Sequence, residues 1–184
     1  MSIAIAVLAL IFASAACALS LAVATRAKRI LDPLVEGSMI RRPPSVVEGT
    51  RVPDIGTLRD TAGEELELHR ERKEAWLLTF LSSTCSGCAA QLPEYKRMIE
   101  TEKIPPNRAI TIVLGNGDDA DAYAHGISQF SRVIRSQDNL NSLISAIGVK
   151  SMPTFLVMTP DGEVKYSTTS VSMLEASRKE LTRA

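Results

Sequence analysis

The sequence predicts an α/β domain behind one apolar N-terminal span, and three observations carry that reading. Beyond residue 52, buried strand patterns alternate with helical ones. Residues 1–24 hold no charged side chain, so every Lys, Arg, Asp and Glu of the 184-residue chain lies beyond Ala24. Two of the three cysteines, Cys85 and Cys88, form a C-x-x-C between a strand pattern and a helical one. The 21 basic and 21 acidic side chains cancel. A nucleic-acid binder shows a basic excess and a solvated disordered chain a high net charge, so both classes are disfavoured. Three cysteines are too few for a disulfide-stapled scaffold, which leaves redox chemistry or half of a metal site.

The apolar run from Ile3 to Ala24 is 22 residues long and is interrupted only by Ser14, Cys17 and Ser20. As a helix rising ~1.5 Å per residue it would cover roughly 33 Å, about the hydrocarbon thickness of a bilayer. Arg26, Lys28 and Arg29 close it. A cleaved signal peptide wants a basic start and a shorter apolar core, so residues 1–24 are expected to be an uncleaved transmembrane anchor. Cys17 does not read as a lipoprotein cysteine, because Ser14 stands where a leucine belongs and the apolar run continues past it. It is expected to be an inert thiol among small residues.

Residues 25–51 read as a juxtamembrane tether, with Arg42-Pro43-Pro44-Ser45 as a non-helical stop. This stretch carries six Lys/Arg against three acids. The positive-inside rule would therefore place the following domain in the cytoplasm, whereas the dithiol chemistry below favours the extracytoplasmic side. The latter is the expectation adopted.

Residues 52–184 read as one domain. Trp76–Leu81 (WLLTFL) is a central strand covered on both faces, and Ala89–Glu100 a helix. Ile110–Leu114 is a second buried strand, closed by Gly115-Asn116-Gly117-Asp118. Asp119–Phe130 reads as a helix, Arg132–Arg135 as a short edge strand, and Leu140–Ile147 as a helix stopped by Gly148. Phe155–Met158 and Val164–Tyr166 flank the hairpin turn Thr159-Pro160-Asp161-Gly162, and Met173–Leu181 reads as a final helix.

Ser82, Ser83 and Thr84 are helix-capping types, so a helix is expected to begin at or just before Cys85. A sulfur there faces unsatisfied backbone N–H groups and the positive end of the helix dipole, and both favour the thiolate. Cys88, three residues on, shares its helical face and can close a disulfide. Cys85 is thus the expected attacking sulfur and Cys88 the resolving one. A closed zinc site would need four ligands. The remaining candidates are Cys17, His69 in a charged stretch and His125 on a polar helix, so a metal is not expected.

Met152-Pro153-Thr154, inside Gly148–Phe155 and just before a strand, resembles the cis-proline loop of the thioredoxin superfamily. Paired with the C-x-x-C after an earlier strand, it implies a thioredoxin-like fold with a central mixed sheet flanked by helices. Pro93 resembles the family's kinking proline in the active-site helix. Val52-Pro53-Asp54 through Leu68 resembles the first strand pair of the membrane-tethered TlpA-like reductases. With the anchor and FLSSTCSGC, the chain is similar among these to the MauD accessory proteins of methylamine dehydrogenase maturation.

The resemblance implies a Met152–Pro153 bond that is cis and faces the dithiol, with the Met152 backbone pairing with the substrate chain. It also implies a substrate-contacting place at Thr84, where the family carries an aromatic. The dipeptide Ser86-Gly87 replaces Gly-Pro. Thr79 and Gln91 stand where members carry carboxylates, so proton transfer at Cys88 must use water, a hydroxyl or another group.

The expected activity is that of a membrane-tethered protein thiol–disulfide oxidoreductase, a reductase or maturation factor. It uses no cofactor beyond the Cys85–Cys88 dithiol and exchanges disulfides with protein substrates. Its upstream electron donor would be of the membrane thiol transporter class. A second class is a thioredoxin-fold chaperone without redox turnover. A third, a peroxidase, is disfavoured because Leu78 lies where that motif's proline belongs.

Overall fold

The computed structural model describes residues 46–135 and 140–177, together with Ser20, Thr25 and Arg26. All of the expected anchor but Ser20, Cys17 included, and most of the tether lie outside the described residues. Among the described residues, no helix is long and apolar enough to cross a membrane.

A five-stranded mixed sheet forms the centre, in the order β5-β4-β3-β6-β7. Strand β3 (Trp76–Ser82) runs parallel to β4 (Ala109–Leu114), which runs parallel to the edge strand β5 (Arg132–Arg135). On its other side β3 pairs antiparallel with β6 (Thr154–Met158), and β6 with β7 (Val164–Thr168). Central placement explains the WLLTFL run: Trp76–Leu81 are all buried, so both faces of the strand must be free of charge. A separate hairpin, β1 (Thr57–Arg59) with β2 (Glu65–Glu67), precedes the sheet. Residues 49–52 hydrogen-bond to Gly162 and Val164 at the start of β7, which holds the head of the domain to the sheet edge.

The alternation of side chains along β3 divides the core. Trp76, Leu78 and Phe80 pack with Ile110, Ile112 and Leu156 against the helix α3 (Leu140–Ile147) and the β1–β2 hairpin. Leu77 and Leu81 pack with Val113, Phe155 and Val157 on the opposite face. That face receives α1 (Ser86–Thr101), α2 (Gly117–His125) and α4 (Val171–Ala176). Burying each such leucine fully contributes ~2 kcal/mol, so a charge on either side of β3 would be severely destabilising.

Several expected boundaries move. Helix α1 starts at Ser86, three residues before Ala89, and α4 starts at Val171, two before Met173; the expected end of the last helix lies outside the described residues. The helix expected to run to Phe130 ends at His125. The chain turns at Gly126, and Ile127 and Phe130 follow in tight turns that still deliver Ile127 to the core. The capping expectation is corrected as well. The Ser82 and Thr84 hydroxyls bond to each other at 3.1 Å, and the cap of α1 is the sulfur of Cys85.

Candidate functional site

The end of β3 delivers Cys85 to the first turn of α1. Its backbone is extended (φ −93°, ψ 111°), and its Sγ accepts the Cys88 N–H at 3.1 Å. A sulfur in the N-cap place therefore satisfies one of the helix's orphan donors. As a thiol, Cys85 also donates to the Met152 carbonyl at 3.4 Å. Cys85 is half-buried and Cys88 fully buried, and both are free thiols. The two sulfurs are thus chemically unequal. Burial, aided by the hydrogen bond and charge of Cys85, pushes the Cys88 thiol up to about 12 from 9.0.

The Met152–Pro153 bond is cis, as the loop's resemblance implied. The proline lies against the dithiol turn: a Cβ built on Gly87 would sit 3.8 Å from Cys85 Sγ and 3.8 Å from the Pro153 ring. The structure thus brings Cys85, Cys88, Met152 and Pro153 into one place. Thr84 stands exposed beside them. Directly behind the dithiol loop, Gly115 at the end of β4 has φ +123°, and any side chain there would overlap the Ser83 hydroxyl.

The two places that lack carboxylates are filled by hydrogen-bonded neutral groups. Thr79 is fully buried and bonds the Tyr95 hydroxyl at 2.9 Å, which in turn bonds Thr111 at 3.3 Å; Thr111 accepts from Ser131 at 2.9 Å. Sequence reasoning missed this chain of hydroxyls. Its signal was one threonine inside each of two otherwise apolar strands, and these two are register partners. Gln91 is committed elsewhere. Its amide donates to the Thr169 carbonyl at 3.0 Å and accepts the Val171 N–H at 2.8 Å, clamping α1 to the start of α4.

Neither histidine joins the dithiol. His69 Nδ1 lies 3.2 Å from Asp54, and His125 is exposed at the end of α2. Among the described residues, no three His, Cys, Asp or Glu side chains gather as metal ligands.

A mixed five-stranded sheet, a dithiol opening the helix after its central strand, and a cis-proline loop facing that dithiol define the thioredoxin fold. Solved structures of that fold superpose on the chain. The thioredoxin domain of a thiol-disulfide oxidoreductase from Bacteroides vulgatus matches with a TM-score of 0.62 and 14% identity, covering 74% of this chain and 99% of that one. A thiol:disulfide interchange protein from Chlorobium tepidum matches with a TM-score of 0.57 and 16% identity, over 73% of this chain and 97% of that one. The exposed lipoprotein thioredoxin Etrx1 of Streptococcus pneumoniae matches with a TM-score of 0.52 and 22% identity, over 70% and 100%. At such identities the likeness is one of fold. Among curated sequences, DnaJ homolog subfamily C member 10 of Rattus norvegicus is 36% identical over 55 residues, 30% of this chain. This chain spans 7% of that protein's length. No family model matches the sequence.

Proposed function

We propose that this chain is a membrane-tethered thiol–disulfide oxidoreductase that reduces or matures protein substrates through Cys85 and Cys88. The observation that carries the reading is the inequality of the two sulfurs at one helix start: Cys85 is accessible and holds an N–H donor, while Cys88 is buried and protonated.

In the reducing direction, the Cys85 thiolate attacks one sulfur of a target disulfide, and the other sulfur leaves with the electron pair and takes a proton. Cys88 then loses its proton and attacks Cys85 Sγ. The Cys85–target bond breaks, the second target sulfur leaves as thiolate and is protonated, and the Cys85–Cys88 disulfide forms. Two electrons pass to the target. The Met152 backbone and the exposed Thr84 flank the attacking sulfur and would guide the target chain alongside it. An upstream dithiol of the membrane transporter class would return the two electrons.

The apolar run 3–24 and the tether behind it would keep the domain near its targets, such as the apoprotein of a periplasmic or cell-surface cofactor enzyme of the kind MauD proteins serve. An extracytoplasmic location suits the chemistry, since cytosolic reductants keep thiols reduced without a tethered helper. A compartment-sensitive reporter fused after Ala184 tests this placement, and signal from a cytosol-only reporter would reverse it.

The activity itself is tested by following reduction of a protein disulfide, with dithiothreitol as the electron source. Wild type should accelerate it, and Cys85→Ser should abolish the acceleration. A chaperone without redox turnover would keep its substrate-holding activity in Cys85→Ser and show no acceleration in wild type.

A further inference from the structure

Attack on a target chain needs the Met152 backbone held beside the Cys85 sulfur while that sulfur changes state. The hydrogen bond that joins them, from Cys85 Sγ to the Met152 carbonyl at 3.4 Å, requires the thiol proton. It is lost in the thiolate, in the adduct with a target and in a Cys85–Cys88 disulfide, because none of these sulfurs has a hydrogen to donate. A second connection between the same two walls contains no sulfur. Gln91 lies on α1 one turn beyond Cys88, and its amide donates to the Thr169 carbonyl at 3.0 Å and accepts the Val171 N–H at 2.8 Å. Thr169 directly follows β7, and Thr168 at the end of β7 is the register partner of Phe155 in β6, two residues after Pro153. A path therefore runs from the dithiol helix through Gln91, the 169–171 segment and one strand pair to the cis-proline loop. That segment is stiff in itself. The Ser170 N–H bonds the Thr168 hydroxyl at 3.1 Å, and Val171 and Leu174 are buried in the same cluster as Cys88.

We propose that Gln91 is a positioning residue for target binding, whose two amide hydrogen bonds keep the cis-proline loop in register with Cys85 in every redox state of the dithiol. The inference rests on the oxidoreductase reading above. A neutral amide suits this task, because it donates and accepts at once and neither bond depends on the state of a sulfur. An ionised carboxylate in the same place could accept from Val171 but could not donate to Thr169. Both backbone partners are in want of the amide. Ser170 makes no side-chain cap at the start of α4, so the Val171 N–H is one of the donors that a helix start leaves free, and Gln91 Oε1 takes it from a neighbouring helix. Gln91 acts through the loop and not on the reacting sulfurs.

The test compares a target that must be docked with one that need not be. The pre-reduced 184-residue chain, in a Cys17→Ala background, is mixed with insulin or with the small neutral hydroxyethyl disulfide. Acid quenching, alkylation and mass spectrometry then count the oxidised chains and give a rate constant for each disulfide. Gln91→Met keeps the length of the side chain and removes both hydrogen bonds. Two neutral hydrogen bonds hold the loop by roughly tenfold or more, and apparent affinity falls with the fraction of chains in which the loop is in place. The expected result is an insulin constant about tenfold lower, with the hydroxyethyl disulfide constant within about twofold of the parent. A second measurement uses the unsubstituted glutamine: the Val171 amide should be protected from hydrogen exchange, read by NMR, in both the reduced and the oxidised chain.

An insulin constant that falls less than about threefold in Gln91→Met overturns the inference. So does an equal fall for both disulfides, which would place the effect on the sulfurs or on the fold as a whole. Free exchange of the Val171 amide in either redox state also overturns it, whether or not Gln91→Met folds. If neither disulfide oxidises the chain that keeps Gln91, the oxidoreductase reading falls, and the role of Gln91 with it.

Discussion

In a Cys85→Ser variant, Cys88 is left alone at the site, and its reactivity reports how tightly burial holds its proton. A rise from 9.0 to about 12 leaves roughly a thousandth as much thiolate at pH 7 as an unperturbed thiol would have. Substituting Cys85 removes its hydrogen bond and charge but not burial, the largest cause, so on the order of a hundredfold suppression should remain. Alkylation with iodoacetamide between pH 7 and 11, read by mass spectrometry, measures it against the same chain unfolded in urea. The folded variant should react about a hundredfold more slowly, with a rate still climbing beyond pH 10. Stability should follow the same titration. The folded state holds this proton more tightly than the unfolded state does, so the contribution is complete below pH 9 and is lost as pH rises from 9 towards 12. The urea midpoint should therefore fall more steeply over that window than in a Cys85→Ser/Cys88→Ala comparison chain, which shares every tyrosine and lysine titration. Alkylation of folded Cys88 at the unfolded rate at pH 7 would refute the reasoning.

Three substitutions test the scaffold around the dithiol. Gln91→Ala deletes both hydrogen bonds of the clamp to Thr169 and Val171 and should lower unfolding free energy by ~1–2 kcal/mol; a urea curve like that of wild type would show that the clamp does not form. Thr79→Val leaves the Tyr95 hydroxyl only its longer bond to Thr111 and should cost ~1 kcal/mol, whereas a stabilised variant would contradict the pairing. Gly115→Ala must adopt φ +123° and displace the Ser83 hydroxyl, so a loss of at least ~2 kcal/mol and a slower attack by Cys85 are expected; wild-type values for both would refute the close approach.

The parts of this fold legible in the sequence are those where burial dictates residue type over several positions. Strand β3 is buried from Trp76 to Leu81 and reads as an unbroken apolar run. The order of the two cysteines could be read from spacing alone, because a strand followed by a helix places one sulfur at the helix start and the other a turn inside. The end of α2 was not legible. Ile127 and Phe130 continue a helical apolar spacing although the backbone has already turned at Gly126, so periodicity alone could not show the break. The cap misled for a related reason. Three hydroxyl residues matched the preferred pattern, yet the Ser82 and Thr84 oxygens bond each other and the Cys85 sulfur takes the cap.

Long-range partners were the least legible. Gln91 meets atoms 78 and 80 residues away. The Tyr123 hydroxyl is buried with no hydrogen-bond partner among the described residues, a property of everything packed around it that no local pattern carries.

The central claim, that Cys85 attacks and Cys88 resolves, is tested most directly by trapping. A Cys88→Ala chain expressed in its own host cannot complete the second step, so adducts with target proteins should accumulate. Non-reducing gels and peptide mapping should find them joined through Cys85, released by dithiothreitol, and missing from a Cys85→Ser chain. A Cys88→Ala chain that accumulates no adducts, or a Cys85→Ser chain that accumulates as many, would contradict the account.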